Sequence, residues 1–152
     1  MEYAERLSVP LRWWVQGTML VLSLWLVVIV AMPPLTAWII AGAGFVVMAL
    51  VFLAVGRARI TVSSTEFAAG RARIDTRFLG SAEALDPERT RAVAGREADA
   101  RAFLLLRPWL KEAVKVTLTD PADPTPYWLV NTRHPERLAA ALTAALDAAR
   151  HP

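Results

Sequence analysis

The sequence has no cysteine and only two histidines, His134 and His151. Without cysteine the chain has no disulfide, no thiolate nucleophile, no iron–sulfur cluster and no cysteine-ligated zinc. Two histidines, one of them in the C-terminal tail, are too few for a histidine-rich metal site or a two-histidine proton relay. We therefore expect the protein to work without a metal or cofactor.

Charge is missing from one long stretch of the chain. From Trp13 to Val55 there is no Asp, Glu, Lys, Arg or His, so all 14 acids and all 17 Lys and Arg residues lie outside it. Pro33-Pro34 divides the stretch into two apolar runs, about residues 13–32 and 35–55. Because a helix rises 1.5 Å per residue, each run is long enough to cross a hydrocarbon core ~30 Å thick.

These two runs predict a transmembrane helical hairpin. The first run is longer than the apolar part of a signal peptide and leads directly into the second, which disfavours cleavage. A soluble core helix needs an outward polar face, and neither run has one. We expect residues 1–56 to comprise an N-terminal segment and two antiparallel membrane helices, with residues 57–152 as a separate domain.

Basic residues flank the hairpin and are missing from its loop. Arg6 and Arg12 precede the first helix, and five arginines follow the second. Those five are Arg57, Arg59, Arg71, Arg73 and Arg77. The positive-inside rule therefore predicts a plasma-membrane protein with both termini in the cytoplasm. The five arginines either only set this topology or also bind anionic lipid.

Small residues in the second helix suggest a close helix contact. Gly42 and Gly44 lie near its middle, and Ala37, Ala41 and Ala49 add to the small surface. Small side chains let helix backbones approach one another in lipid. The contact is either with the first helix of the same hairpin or with a second copy of the chain, as a homodimer.

Residues 57–152 alternate between strand-like and helix-like patterns. Residues 59–62, 66–69, 72–75, 103–106, 113–119 and 127–132 are strand-like. Asp86-Pro87-Glu88 is typical of a helix start, and the last element, from Pro135 to about Ala149, has one apolar face. We predict an α+β fold, a small antiparallel β domain closed by a C-terminal amphipathic helix. That order is similar to pleckstrin-homology-like domains of bacterial membrane proteins, by analogy of fold alone.

Several motifs together resemble a known family. They are Tyr3-Ala4-Glu5-Arg6-Leu7, Arg77-Phe78-Leu79-Gly80, Arg107-Pro108-Trp109, the run DPADPTPYW over residues 120–128, Thr132-Arg133 and Pro135. The chain resembles short, alanine-rich, two-helix membrane proteins of actinobacteria, catalogued as a domain of unknown function. The resemblance covers nearly the whole chain and implies a plasma-membrane location. It implies no activity, substrate or catalytic residue.

The DPADPTPYW run is the strongest candidate for a functional site. Asp120 and Asp123 are hard-cation ligands in other proteins, but they lack a supporting ligand set here. Alternatively, Asp before Pro forms a structural turn, or Tyr127 and Trp128 contact a partner. Further candidates for partner or ligand contact are Arg107, Trp109 and Arg133. Arg107 either joins the DPADPTPYW loop in one site or only ends a strand.

The remaining motifs exclude several activities. No phosphate-binding loop, dinucleotide fingerprint or HExxH is present, and no serine has a nearby histidine. The net charge is +3, but the chain has no long Lys or Arg run, so we expect no nucleic-acid binding. Two hypotheses remain: a non-enzymatic membrane-anchored adaptor for a protein partner, or a sensor of anionic lipid headgroups. An enzyme is the weaker third interpretation.

Overall fold

The computed structural model describes residues 2–150, which form two compact units. Residues 8–57 make one unit, and the residues up to Leu7 together with those from Ala58 onward make the other. The first unit is a helical hairpin and the second an α+β domain. The predicted α+β fold, with two long apolar N-terminal helices, mainly antiparallel sheets and a C-terminal helix, is therefore confirmed, and the membrane crossing of the two helices stays a prediction.

The helical unit contains α1 (Leu11–Ala31) and α2 (Pro34–Val55). Pro34 is the first residue of α2, where its missing N–H costs no helical hydrogen bond. The helices have 21 and 22 residues, with mean hydropathies of 2.1 and 2.6. Both are long and apolar enough to cross a membrane, and their bounds lie within about two residues of those predicted.

The two helices approach closely at Gly17 of α1. A Cβ at Gly17 would clash with Sδ of Met48 and would lie 3.4 Å from the ring of Phe52. Nearer the loop, the rings of Trp25 and Trp38 pack with their centroids 4.9 Å apart. Contact between the helices therefore depends on a glycine of the first helix, which the sequence analysis did not single out.

Gly42 and Gly44 do not make the contact within the hairpin. A Cβ added at either position meets no atom within 4 Å. The prediction that these residues pack against α1 is therefore wrong, because Gly17 and the aromatic pairs provide the contact instead. The alternative, a homodimer through Gly42 and Gly44, stays a prediction.

The first sheet of the domain has four antiparallel strands in sequence order. They are β1 (Tyr3–Arg6), β2 (Arg59–Val62), β3 (Glu66–Ala69) and β4 (Ala72–Asp75). Side chains alternate along them, so that Ile60 and Val62 face the core while Arg59 and Thr61 face outward. A 3-10 turn, Thr76–Phe78, leads out of β4.

The N-terminal strand β1 belongs to the domain and not to the helices. Its residues pair with β2, and the N–H of Leu7 donates to the carbonyl of Ala58 at 3.0 Å. We expected residues 1–56 to be one segment with the hairpin, and the structure differs because Leu7 is fully buried in the domain core. The helical hairpin is thus an insertion between two neighbouring, hydrogen-bonded strands.

The second sheet is mixed. Its strands are β5 (Leu79–Leu85), β6 (Phe103–Leu105), β7 (Ala113–Leu118) and β8 (Tyr127–Asn131), in the spatial order β5-β7-β8-β6. The expectation of purely antiparallel pairing is wrong for β6, which runs parallel to β8 because a crossover connects them. Strand β5, with small and polar residues at its centre, was not predicted.

The main core contains side chains of both sheets and the C-terminal helix. Val62 and Phe67 of the first sheet, Val116 of the second and Leu142 of α4 (Pro135–Arg150) belong to one buried cluster. A smaller cluster joins Val93 of α3 (Pro87–Ala94) to the second sheet. All five residues of β8 are buried, because both faces of this sheet are covered.

Candidate functional site

Two arginines face each other across the first strand pair. Arg6 of β1 and Arg59 of β2 are Cα partners in the antiparallel register, and both residues are exposed. Their side chains share the outward face, since Glu5 and Ile60 form the neighbouring pair that points inward. Like charges directly opposite one another destabilise a sheet unless an anion compensates them.

A third arginine comes from the turn between β3 and β4. Gly70 has φ +66°, a conformation that favours glycine, and it opens a two-residue turn with Arg71. The N–H of Gly70 donates to the carbonyl of Arg59 at 2.8 Å. This hydrogen bond holds the exposed Arg71 beside the Arg59 strand.

A fourth arginine comes from the connection between β8 and α4. The Nη1 of Arg133 donates to the carbonyl oxygen of Arg6 at 3.0 Å. We call Arg6, Arg59, Arg71 and Arg133 the arginine cluster. The cluster contains Arg59 and Arg71, which were predicted to bind lipid, and Arg133, which was predicted to contact a partner or ligand. Its fourth member is Arg6.

Ion pairs separate the predicted lipid-binding arginines into two groups. Arg73 lies 3.3 Å from Glu66 and Arg77 lies 3.4 Å from Asp75, so carboxylates already compensate these two charges. Within residues 2–150, no carboxylate lies within 4 Å of Arg6, Arg59 or Arg71. In the described part of the chain, these three side chains of the cluster therefore carry positive charge that no carboxylate compensates.

Arg57, the remaining predicted lipid-binding residue, lies at the end of the helical unit. It is exposed, and no ion pair to it occurs in the described part of the chain. It precedes Arg59 by two residues in the sequence, so the two charges are close along the chain.

A half-buried carboxylate fixes β1 beside the β8–α4 connection. Glu5 accepts hydrogen bonds from the hydroxyl of Tyr3 at 2.8 Å and from the N–H of Arg133 at 3.0 Å. The hydroxyl of Thr132 also donates to it. Burial, with the neighbouring Glu5 charge, raises the pKa of Tyr3 to about 12. The network positions Arg6 and Arg133, although their motifs lie at opposite ends of the sequence.

The aromatic residues of the DPADPTPYW run are withdrawn from the surface. Trp128 is 5% exposed and packs between Phe67 and Phe103, at centroid distances of 5.5 and 5.0 Å. The hydroxyl of Tyr127, a residue 8% exposed, accepts a hydrogen bond from the N–H of Asp99 at 3.1 Å. Both aromatics stabilise the domain from within.

The two aspartates of the run form turns with their own backbone. Asp120 Oδ1 accepts from the N–H of Ala122, and Asp123 Oδ1 from the N–H of Thr125, both at 2.9 Å. Hydrogen bonds from Thr125 lower the pKa of Asp123 below its ordinary value. This geometry favours the structural-turn interpretation, and no group of three His, Asp or Glu able to hold a metal occurs in residues 2–150.

Arg107 lies at the other end of β8 from the DPADPTPYW loop. Its N–H donates to Oδ1 of Asn131, the last residue of β8, at 2.8 Å, whereas the loop ends where Tyr127 begins the strand. Five strand residues separate these ends by roughly 13 Å. Arg107, and with it Trp109 two residues on, therefore does not form one site with Asp120 and Asp123.

The comparison with family models matches residues 2–142 to a family described as a protein of unknown function, DUF3093. The chain belongs to this family. The match includes β1 as well as both helices, so the helical insertion lies inside the region shared with the family. No curated protein and no solved structure matches the chain.

Glu5 and Arg6 were not predicted as site residues. The pattern Tyr3-Ala4-Glu5-Arg6 alternates as a strand does, but four residues give too short a signal. Its partner strand begins more than fifty residues later in the chain, beyond the hairpin. Only the pairing of β1 with β2 shows that the residue before the first helix and the residue after the second share one surface.

Proposed function

We propose that this family member is a membrane-anchored, non-enzymatic domain that binds anionic lipid headgroups through its arginine cluster. The observation that carries the proposal is the pair Arg6 and Arg59. Both are exposed, they lie opposite one another, and neither has a carboxylate partner within residues 2–150. They lie five residues before α1 and four residues after α2 in the chain. Both charges are therefore tethered close to the ends of the apolar helices.

The exposed apolar surface of the two helices supports the proposal that they insert into a membrane. Large apolar side chains lie exposed along both of them, such as Val30 at 88%, Leu20 at 72% and Leu50 at 61%. Exposed apolar surface of this extent is unfavourable in water and favourable in a hydrocarbon core. The uncharged Pro33-Pro34 connection and the arginines at the other helix ends favour a plasma membrane with both termini in the cytoplasm.

Electrostatics supports anionic lipid as the ligand. A basic side chain near an anionic membrane surface contributes about 1 kcal/mol of attraction, which salt screens over about 8 Å at physiological ionic strength. A phosphate between Arg6 and Arg59 would also relieve the repulsion between them. Lipid is favoured over a protein partner because Tyr127 and Trp128, the aromatics on which the adaptor hypothesis depended, are buried.

The test uses spin-labelled lipids with the full-length protein reconstituted in bilayers. Electron spin resonance measures how strongly labelled phosphatidylglycerol associates with the protein relative to labelled phosphatidylcholine. We expect a preference of about fivefold or more for phosphatidylglycerol, lost at high salt. The triple variant Arg6→Gln, Arg59→Gln, Arg71→Gln should reduce the preference to near one.

A charge-matched variant controls for the loss of net charge. Arg89, Arg96 and Arg101 are exposed, and each already pairs with Glu97 or Asp99. Changing these three to Gln should leave the preference for phosphatidylglycerol unchanged. An equal loss in both triple variants, or no preference in the natural protein, would refute the proposal.

A further inference from the structure

A second basic site lies at the end of the second sheet, between α3 and the segment that connects β6 to β7. It is a cleft of about 360 Å³, lined on one side by Arg91 and on the other by Arg107 and Lys111. Clefts that hold small ligands begin at roughly this volume, about 300 Å³. None of its residues belongs to the arginine cluster, so the cleft is independent of the proposed function.

The cleft is positively charged. No acidic residue lines it, and among the described residues no carboxylate lies within 4 Å of Arg91, Arg107 or Lys111. Other arginines of the same region, Arg89 and Arg101, do have carboxylate partners. Three cations without a compensating acid favour an anion with more than one negative charge.

Arg107, which lines the cleft, has a hydrogen-bond donor without a partner in the described part of the chain. Its Nη1 donates to the carbonyl of Leu106 at 2.9 Å, but its Nε is buried and has no hydrogen-bond partner within residues 2–150. A buried donor without a partner costs about 1–3 kcal/mol. Burial also lowers the pKa of Arg107 from its ordinary value. An anionic ligand in the cleft would compensate the charge of this guanidinium, since Arg107 is one of the lining residues.

Asn131 holds the segment that carries two of the three cations. Its Oδ1 accepts from the N–H of Arg107 at 2.8 Å, and its Nδ2 donates to the carbonyl of Glu112 at 2.7 Å. Asn131 is 2% exposed, and both ends of its amide are used in these two bonds. The segment is therefore fixed before any ligand arrives, which reduces the entropy lost on binding.

The remainder of the lining is largely apolar. Leu106 and Leu110 come from the connecting segment, and Pro87 and Ala94 come from α3. A bare inorganic anion would leave this surface without a partner. The combination of cations and apolar side chains matches a ligand with an anionic head and an apolar body.

We propose that this cleft binds a phosphate monoester with a small apolar body, held by Arg91, Arg107 and Lys111. Arginine binds phosphate oxygens with two parallel hydrogen bonds, and lysine adds a compact charge. A soluble ester and the headgroup of phosphatidic acid share this chemistry.

Isothermal titration calorimetry of the full-length protein in a non-ionic detergent tests the site, with phenyl phosphate as the probe. We expect saturable binding of phenyl phosphate. Inorganic phosphate and neutral phenol should each bind about tenfold or more weakly, because the first lacks the apolar body and the second lacks the anionic group. Each of the variants Arg91→Gln, Arg107→Gln and Lys111→Gln should reduce the affinity for phenyl phosphate about tenfold. Arg101→Gln, an exposed and ion-paired control, should not.

Arg91→Gln and Lys111→Gln change exposed side chains, so they keep the test meaningful even if Arg107→Gln unfolds the domain. Competition with phenyl phosphate by phosphatidic acid in nanodiscs would assign the lipid headgroup as the source, and its absence would assign a soluble ester. No binding of phenyl phosphate at about 10 mM overturns the proposal. Unchanged affinity in Arg91→Gln and Lys111→Gln, or an equal loss in Arg101→Gln, overturns it too.

Discussion

The insertion of the hairpin between β1 and β2 leads to a specific prediction about a soluble form of the domain. Leu7 and Ala58 are already hydrogen-bonded neighbours at the two ends of the insertion. Replacing residues 8–57 by the two-residue turn Asn-Gly should therefore close an ordinary β-hairpin. We expect this variant to fold as a monomer without detergent. A plain truncation that starts at Ala58 lacks β1, and we expect it to be much less stable.

The magnitude follows from what β1 contributes to the domain. Leu7 is fully buried, and burying one leucine contributes about 1.5–3 kcal/mol. The hydrogen bonds of Glu5 to Tyr3 and Arg133 add about 1 kcal/mol each. Losing β1 should thus cost about 3–5 kcal/mol, against about 5–15 kcal/mol for the whole stability of a small domain.

Urea unfolding, followed by circular dichroism, measures the free energy of unfolding of both variants. The truncation should unfold at a lower urea concentration, and its exposed β2 edge should make it prone to aggregation. A matched point variant, Leu7→Ala in the turn-closed form, should lose about 2–4 kcal/mol. If the truncation and the turn-closed variant have equal free energies of unfolding, β1 is not an integral strand and this reasoning fails.

Three further predictions concern single residues. Asn131→Leu should destabilise the domain by about 2–4 kcal/mol in urea unfolding, because the N–H of Arg107 and the carbonyl of Glu112 lose their partners, while an equal free energy of unfolding would contradict that role. The Tyr3 phenol has a pKa of about 12 when folded, against 10.0 ordinarily, so the unfolded chain ionises first and stability should fall from about pH 10 to pH 12. Tyr3→Phe should flatten that fall in urea midpoints measured against pH. A membrane-impermeant thiol reagent should label a cysteine placed at Pro34 in intact cells but not one placed at Ser64. Labelling at Ser64 would show that the domain faces outward and would contradict the predicted topology.

The sequence predicts well those elements whose signal is local. The two apolar helices, the helix that Asp86 caps and the amphipathic α4 all carry their pattern within one stretch of chain. The side chain of Asp86 does accept the N–H of Arg89 at 2.7 Å, as its position before Pro87 indicated.

The sequence predicts poorly those features that depend on distant pairing. Strand β5 has small and polar residues at its centre, and only its pairing with β7 makes it a strand. The parallel pairing of β6 with β8 follows from the crossover through the intervening chain, and a three-residue strand carries no sign of direction. Gly17 resembles any other small residue of an apolar helix until Met48 is placed against it.

For the same reason, the sequence does not predict which arginines of the candidate site have a carboxylate partner. Five arginines after the second helix look equivalent in the sequence. Among the residues that the structure describes, Arg73 and Arg77 have carboxylate partners, and Arg59 and Arg71 do not. The partner of Arg73 is Glu66 on the neighbouring strand, and the order of residues along the chain does not reveal such a cross-strand pair. The aromatics of the DPADPTPYW run mislead for a related reason, because the sequence does not show that both faces of β8 are covered.

Arginines that only set membrane topology can be told apart from arginines that also bind lipid by whether a carboxylate already compensates their charge. The positive-inside rule depends on the number of basic residues in the flanks, and a local ion pair does not remove a residue from that count. Arg6 and Arg59 lie opposite each other without a carboxylate partner in the described residues, which destabilises the sheet. A role in membrane topology does not explain this arrangement. Binding an anion does give a reason, because the ligand supplies the missing charge. Substitutions at Arg73 and Arg77 should thus affect topology as much as those at Arg59 and Arg71, whereas lipid preference should depend on Arg59 and Arg71, together with Arg6, and not on Arg73 or Arg77.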